Sequence, residues 1–251
     1  MNNNLKMKQS GETMTDNALQ MYNLLKQEVR QWQAERGAFW TERLSPARVP
    51  PYYPVKGLPE NAILELCQRL NHVSDTVVGD IELLETWKKF KAFRLVTNAE
   101  LYSRLQLALC GVAQMFQETM VKTESSSANS QSAQSLTCPI CGEPAGVSVL
   151  SPPDGKRFLH CLICEHEWLA KRVGCIRCGT EEASKLNYLK SEEYPGTEMV
   201  ICQACGQYSK EYDLRVMNVE DVNWETIRTL PLDYAAESWL AEQAQLLGKV
   251  Q

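Results

Sequence analysis

Eight of the ten cysteines lie within 68 residues as four copies of Cys-x-x-Cys: Cys138/Cys141, Cys161/Cys164, Cys175/Cys178 and Cys202/Cys205. Two residues between thiolates let one turn supply two ligands, and eight thiolates make two closed tetrahedral metal sites. The pairs are separated by 19, 10 and 23 residues. The two longer gaps have the length of a β excursion that leaves a metal and returns to it. Glycine follows three of the pairs, at Gly142, Gly179 and Gly206, where a left-handed residue costs little and backbone N–H groups can turn toward sulfur. Glu165 stands at the equivalent place after the second pair.

An internal repeat bears on which pairs share a metal. In the first half, 147–150 reads as a strand, Pro153-Asp154-Gly155 as a turn, and 158–160 as the strand that delivers Cys161. The second half has the same plan, with strands at 186–189 and 199–201 around Tyr194-Pro195-Gly196. This favours sequential sites, Cys138, Cys141, Cys161 and Cys164 for one and Cys175, Cys178, Cys202 and Cys205 for the other. A cross-brace in which the first and third pairs share a metal stays open, because order along the chain does not fix connectivity.

Other uses of the thiols fit less well. Disulfides need an oxidising compartment, yet no apolar leader follows Met1 to Lys6 and no apolar run approaches about 18 residues; the chain reads as soluble and cytoplasmic, with no membrane insertion. A thioredoxin-type dithiol uses one Cys-x-x-Cys at a helix start, whereas four copies here sit among turn residues. Phe158, Leu159, Leu162, Ile163, Trp168, Tyr188, Val200 and Ile201 supply a small apolar core, thin enough that metal must help hold it. His160 and His166 flank the second pair but receive no ligand role.

The charge balance bounds the partners. Formal net charge is −5, and residues 138–212 hold 8 Lys and Arg against 10 Asp and Glu, which offers a phosphate backbone no net attraction. Lys156, Arg157, Lys171, Arg172 and Arg177 read as solvated surface residues that would also offset the charge of a four-thiolate site. No Walker loop, Gly-rich dinucleotide fingerprint or HExxH pair occurs, so no catalytic residues are assigned.

Elements that must position the cysteines precede and follow them. After a cap at Thr15 or Asp16, Ala18, Met21, Tyr22, Leu25, Val29 and Trp32 form one helical stripe. Four prolines between 45 and 54 mark an extended crossing in which Tyr52 and Tyr53 pack. Pro59 then fits the first turn of a helix carrying Ile63, Leu66, Cys67 and Leu70. A third helix, capped by Ser74 or Asp75, carries Val77, Val78, Ile81, Leu84 and Trp87. In the fourth, Thr97-x-x-Glu100 is a capping box ahead of Leu101, Leu105, Ala108, Val112, Met115 and Phe116. Cys67 and Cys110 fall on or near these apolar faces and read as buried hydrophobes, outside the metal sites. Beyond residue 212 the pattern returns to helix around Trp224, Ile227, Tyr234 and Trp239.

The cysteine region resembles the formate dehydrogenase accessory protein family, FdhE. The resemblance rests on Cys138-Pro139-Ile140-Cys141-Gly142, Arg157-Phe158-Leu159-His160-Cys161, Cys164-Glu165 with Glu167-Trp168, Arg172-Val173 before Cys175, and Cys205-Gly206 with Tyr208 and Lys210. It spans residues 138–212, with a weaker likeness around Asp221 and 230–233. What it implies is a cytoplasmic, non-catalytic maturation factor that binds the catalytic subunit of an exported formate dehydrogenase before transport. It also implies rubredoxin-like sites in which all eight cysteines are ligands and iron is the suggested occupant; four thiolates accept zinc at nearly the same geometry.

The expected fold class is therefore α plus small β: an N-terminal helical bundle, two tandem rubredoxin-like or zinc-ribbon sites, and a C-terminal helical tail. The expected boundaries are a disordered 1–14, a helical domain at 15–122, a Ser/Gln-rich linker at 123–137, the double ribbon at 138–212 and the helical segment at 213–251. Two alternative functions accompany this reading, a rubredoxin-type electron-transfer or redox-sensing protein and a zinc-ribbon module that binds nucleic acid or polymerase.

Overall fold

The computed structural model of the chain describes residues 2–71, 73, 79–92, 99–124 and 135–248. They fall into two compact units, Met1–Ser126 with Ile140–Gly142, and Ser127–Pro139 with Glu143–Gln251.

Among the described residues the first unit holds four α-helices, α1 (Asn2–Thr41), α2 (Glu60–Leu70), α3 (Asp80–Lys91) and α4 (Ala99–Glu124). At 1.5 Å per residue α1 is about 60 Å long against about 39 Å for α4, so α1 outruns its partners. The buried side chains of its stripe are accordingly Val29 and Trp32, while Met21 is exposed. The helix starts at Asn2, so Thr15 and Asp16, read as its cap, lie inside it.

The faces read for α2 and α4 are the buried ones: Ile63, Leu66, Cys67 and Leu70 on one, Leu101, Leu105, Ala108, Val112, Met115 and Phe116 on the other. They meet tightly at Gly111, where a Cβ would sit 2.7 Å from both Leu66 Cδ2 and Val29 Cγ1. A polar seam borders this core. Glu65 accepts hydrogen bonds from Trp32 Nε1 (2.9 Å) and Arg36 Nε (2.6 Å).

Two details differ from expectation. Pro59 is the N-cap of α2 rather than a residue of its first turn. In α3, whose N-cap is Gly79, the buried residues are Leu83, Thr86 and Trp87, and Ile81 is 77 % exposed; a start at residue 80 sets the inward face four residues apart from Leu83 onward. The proposed caps Ser74 and Asp75, Val77, Val78 and Thr97 lie outside the described residues, as does most of the expected linker. The crossing at 45–54 packs through Tyr53, whose ring lies 4.9 Å from that of Phe116. Tyr53 and Val55 donate backbone hydrogen bonds to the carbonyls of Ile140 (2.7 Å) and Cys141 (3.1 Å).

The second unit is built on one six-stranded sheet. Its strands are β1 (Val147–Ser151), β2 (Lys156–His160), β3 (Glu167–Leu169), β4 (Leu186–Lys190), β5 (Thr197–Cys202) and β6 (Gln207–Asp213), in the order β3-β2-β1-β6-β5-β4. Each half is an antiparallel hairpin plus a third strand that follows the second cysteine pair. The expected turns are present, with Gly155 at φ +68° and Gly196 at φ +85°. The third strands, β3 and β6, were not anticipated, nor was the parallel pairing of β1 with β6 that merges the two ribbons. One face of the merged sheet buries Val147, Val149 and Tyr212 beneath Leu214, Met217 and Val222.

Two helices, α5 (Val222–Arg228) and α6 (Leu230–Gly248), complete this unit. Asp221 caps α5 by accepting from the Trp224 N–H at 2.9 Å. Lys210 Nζ lies 2.5 Å from Asp233 Oδ2 and Tyr208 donates to Glu237 (3.0 Å), which ties α6 to β6. Among the described residues no helix is long and apolar enough to cross a membrane.

Candidate metal centres

All four cysteine pairs sit in similar tight turns. The backbone N–H of Cys138, Cys161 and Cys175 donates to the carbonyl five residues on, of Glu143, His166 and Thr180 respectively, at 2.7–3.0 Å. The residue after each pair is left-handed: Gly142 at φ +81°, Glu165 at +58°, Gly179 at +78° and Gly206 at +69°. Glu165, Gly179 and Gly206 each donate an N–H back to the carbonyl of the first cysteine of their pair, at 2.8–2.9 Å. Glu165 thus adopts the backbone of the glycine it replaces.

The turns converge as two groups, Cys138, Cys141, Cys161 and Cys164 in one, Cys175, Cys178, Cys202 and Cys205 in the other, with all four Sγ atoms of each group within 4.8 Å of one another. The grouping is sequential, not cross-braced. Because each hairpin starts just after one pair and ends in the next, the strands themselves bring the ligand pairs together. A tetrahedron of metal–sulfur bonds near 2.3 Å has edges of about 3.8 Å. The sulfur separations of Cys175 from Cys205 and of Cys178 from Cys202 are both 3.8 Å, and Cys138 and Cys164 lie at 3.4 Å. Donor type, number and spacing therefore fit one thiophilic metal ion in each group.

The two groups differ in access to solvent. In the first, the cysteines are 0–3 % exposed; Trp168, which follows the Cys161/Cys164 pair on β3, is buried too, and its Nε1 donates to Ser135 O (2.9 Å). In the second, Cys175 and Cys202 pack with Leu186 and Val200, while Cys205 is half-buried and Cys178 exposed. Burial pushes the Cys205 thiol up to about 12 and that of Cys175 in the same direction, whereas the backbone N–H of Thr180 lowers that of Cys178. Metal uptake at such a site displaces protons. Arg177 donates its backbone N–H to Cys175 Sγ (3.3 Å) and its guanidinium to Ala145 O (2.8 Å).

Neither histidine belongs to a cysteine group. His160 is buried, with Nδ1 3.1 Å from Glu167 and Nε2 3.4 Å from Asn223 Oδ1; His166 stacks on Trp168. Cys67 and Cys110 are buried in the first unit.

Arg157 corrects the surface reading. It is 3 % exposed and pairs with Glu211, and its guanidinium also donates to Ser148 Oγ (3.1 Å) and Gly174 O (2.8 Å). Strand parity carried a usable signal, since Arg157 has the same parity as the buried Leu159 and Cys161. A cleft of about 200 Å³ opens beside the second group, lined in part by Arg157, Leu159, Cys175 and Ile176.

A helical unit and a single sheet holding two four-cysteine knuckle sites define a double-ribbon metal-site protein. Residues 137–172 match the family model described as FdhE, central domain. The resemblance seen in the sequence is thereby borne out over this stretch, where the chain is similar to the FdhE family. It is 35 % identical over 109 residues to a protein named FdhE homolog from Aquifex aeolicus, a match covering 42 % of this chain and 37 % of that one. Identity to the FdhE homolog of Pectobacterium atrosepticum is 42 % over 91 residues, covering 34 % of this chain and 29 % of the relative. With that of Shewanella oneidensis it is 33 % over 103 residues, covering 40 % and 34 %. The matched stretch thus spans about a third of each curated relative. The crystal structure of the FdhE protein from Pseudomonas aeruginosa is similar with a TM-score of 0.48 at 18 % identity, over 84 % of this chain and 75 % of that one.

Proposed function

We infer that the chain is a formate dehydrogenase accessory protein that works by binding, not turnover: a cytoplasmic factor that holds the catalytic subunit of formate dehydrogenase while the active enzyme is assembled before export. One observation carries this reading. The stretch matching the FdhE central domain, residues 137–172, contains all four cysteines of the first group, so the likeness coincides with the residues able to do chemistry.

On this reading the eight cysteines ligate two metal ions, iron or zinc. Structural metal of this kind supplies about 10–16 kcal/mol toward folding, and iron adds a one-electron couple. The residues of the chain do the rest. Turn hydrogen bonds set the thiols, and Arg157, Ser148 and Glu211 join the two ribbons into one sheet. Four thiolates close each site and leave no position for a substrate, which supports a non-catalytic role. The near balance of charge in residues 138–212 argues against a nucleic-acid partner.

A second reading, single-electron transfer or redox sensing, is favoured by the exposure of Cys178 in the second group. The test is affinity purification from the anaerobically grown native host, with identification of copurifying chains and iron and zinc measured in the same fraction. A formate dehydrogenase catalytic subunit with close to two metals per chain is the expected result. Copurifying polymerase or nucleic acid would overturn the accessory reading. A zinc-only protein would remove the electron-transfer one.

A further inference from the structure

Three knuckles place glycine at their left-handed position, and the fourth places Glu165 there at φ +58°. A side chain is disfavoured in that conformation, so the contacts that Glu165 makes bear on why it is tolerated. Its carboxylate accepts from Asn223 Nδ2 at 3.1 Å. The same amide nitrogen lies 3.3 Å from Leu162 O, and Asn223 Oδ1 lies 3.4 Å from His160 Nε2. One side chain of α5 therefore grips the turn that carries Cys161 and Cys164 at two points and meets His160, at the end of β2, at a third.

Asn223 is the second residue of α5. From that anchor the helices run across the sheet: Val222 covers Val147, Val149 and Tyr212, and the Tyr212 hydroxyl meets Thr226 and Thr229 at 3.3 Å. The docked pair leaves Ile227, Leu230 and Tyr234 exposed.

We propose that Glu165 and Asn223 form a latch that couples metal occupancy of the first four-cysteine site to docking of the α5–α6 segment. The inference rests on the metal reading of that site. Metal bound by Cys161 and Cys164 holds the intervening turn, and that turn presents Leu162 O and the Glu165 carboxylate to Asn223. Loss of the metal frees the turn to relax its left-handed residue, and α5 loses its seat. Coupling of this kind is reciprocal, so a docked α5 must in turn retain the metal. Both are positioning residues, not ligands.

The test is hydrogen–deuterium exchange on the metal-loaded full chain, in wild type, Glu165→Ala and Asn223→Ala. Glu165→Ala keeps a Cβ at the left-handed position, so the backbone cost is retained and only the carboxylate's contact is lost. Both variants are expected to speed exchange in 222–228 by roughly tenfold. Transfer of metal to a chelator is followed in a Cys178→Ser background, which disables the second site, and both variants should release the remaining metal faster by a similar factor. Unchanged metal release in either variant would overturn the coupling, even if α5 exchanged faster. Wild-type chain that takes up no metal would overturn the metal reading, and the proposal with it.

Discussion

Arg157 Nε lies 2.7 Å from Glu211 Oε2, with both side chains only 3 % exposed. Arg157 comes from β2 of the first ribbon and Glu211 from β6 of the second, while Ser148 of β1 bridges them, donating to Glu211 at 2.8 Å and accepting from Arg157 at 3.1 Å. Because the charges are paired and hydrogen-bonded, their burial is tolerated. The cluster lies where β1 and β6 pair in parallel, the connection that turns two ribbons into one sheet.

Removing Arg157 leaves the buried Glu211 with Ser148 and, 3.7 Å away, the half-exposed Arg172. Arg157→Met alone should destabilise the ribbon unit by about 3–5 kcal/mol, whereas Arg157→Met with Glu211→Leu should recover most of that loss. Urea unfolding of the metal-loaded single and double variants checks this, and additive losses would show that the two charges do not depend on each other.

Solvent access orders metal loss. The second group, with Cys178 exposed and Cys205 half-buried, should give up its metal to a chelator before the first, whose four sulfurs are covered. Release should be biphasic with about one metal per phase, and Cys178→Ser should abolish the fast phase alone. A single phase in the wild type would contradict the ordering.

Close packing at Gly111 leaves no room for a methyl group. Gly111→Ala places a Cβ 2.7 Å from side chains of Leu66 and Val29, and overpacking of this kind costs about 1–3 kcal/mol. That outweighs the roughly 1 kcal/mol gained in helix propensity. Chemical denaturation followed by helical circular dichroism should show lower stability; an unchanged midpoint would mean that α1 and α2 yield at little cost.

Burial pushes the Cys67 thiol up to about 12, so it stays protonated in the folded unit after the unfolded chain has begun to ionise. A raised folded value means that its contribution is fully present below the ordinary thiol range near 9 and is lost as pH climbs from there toward 12. Stability of the helical unit should therefore fall over that window, and Cys67→Ala should make the fall shallower while lowering stability at neutral pH through the cavity it leaves. Denaturation midpoints at pH 8 and pH 10.5 compare the two.

Much of the site was legible because its signals are local. Spacing named the eight cysteines, glycine marked three left-handed turns, and hairpin length indicated which pairs would meet. The burial of Leu66, Leu105 and Phe116 followed from period alone. Residues whose role depends on distant strands were not legible: Arg157 reads as surface beside Lys156, and Asn223 is one polar residue in a helical tail.

By itself the sequence determined the chemistry available, eight thiolates in pairs that turns can present, and the helical periods of the first unit, because both depend on residues a few positions apart. Tertiary structure alone decided that the two ribbons share one sheet, that Arg157 is buried against Glu211, that the second group is the more exposed, and that Asn223 reaches the turn holding Glu165. Each of these depends on which strand edges pair and which face a helix covers. Pairing energies between segments separated by 50 residues or so leave no periodic trace along the chain.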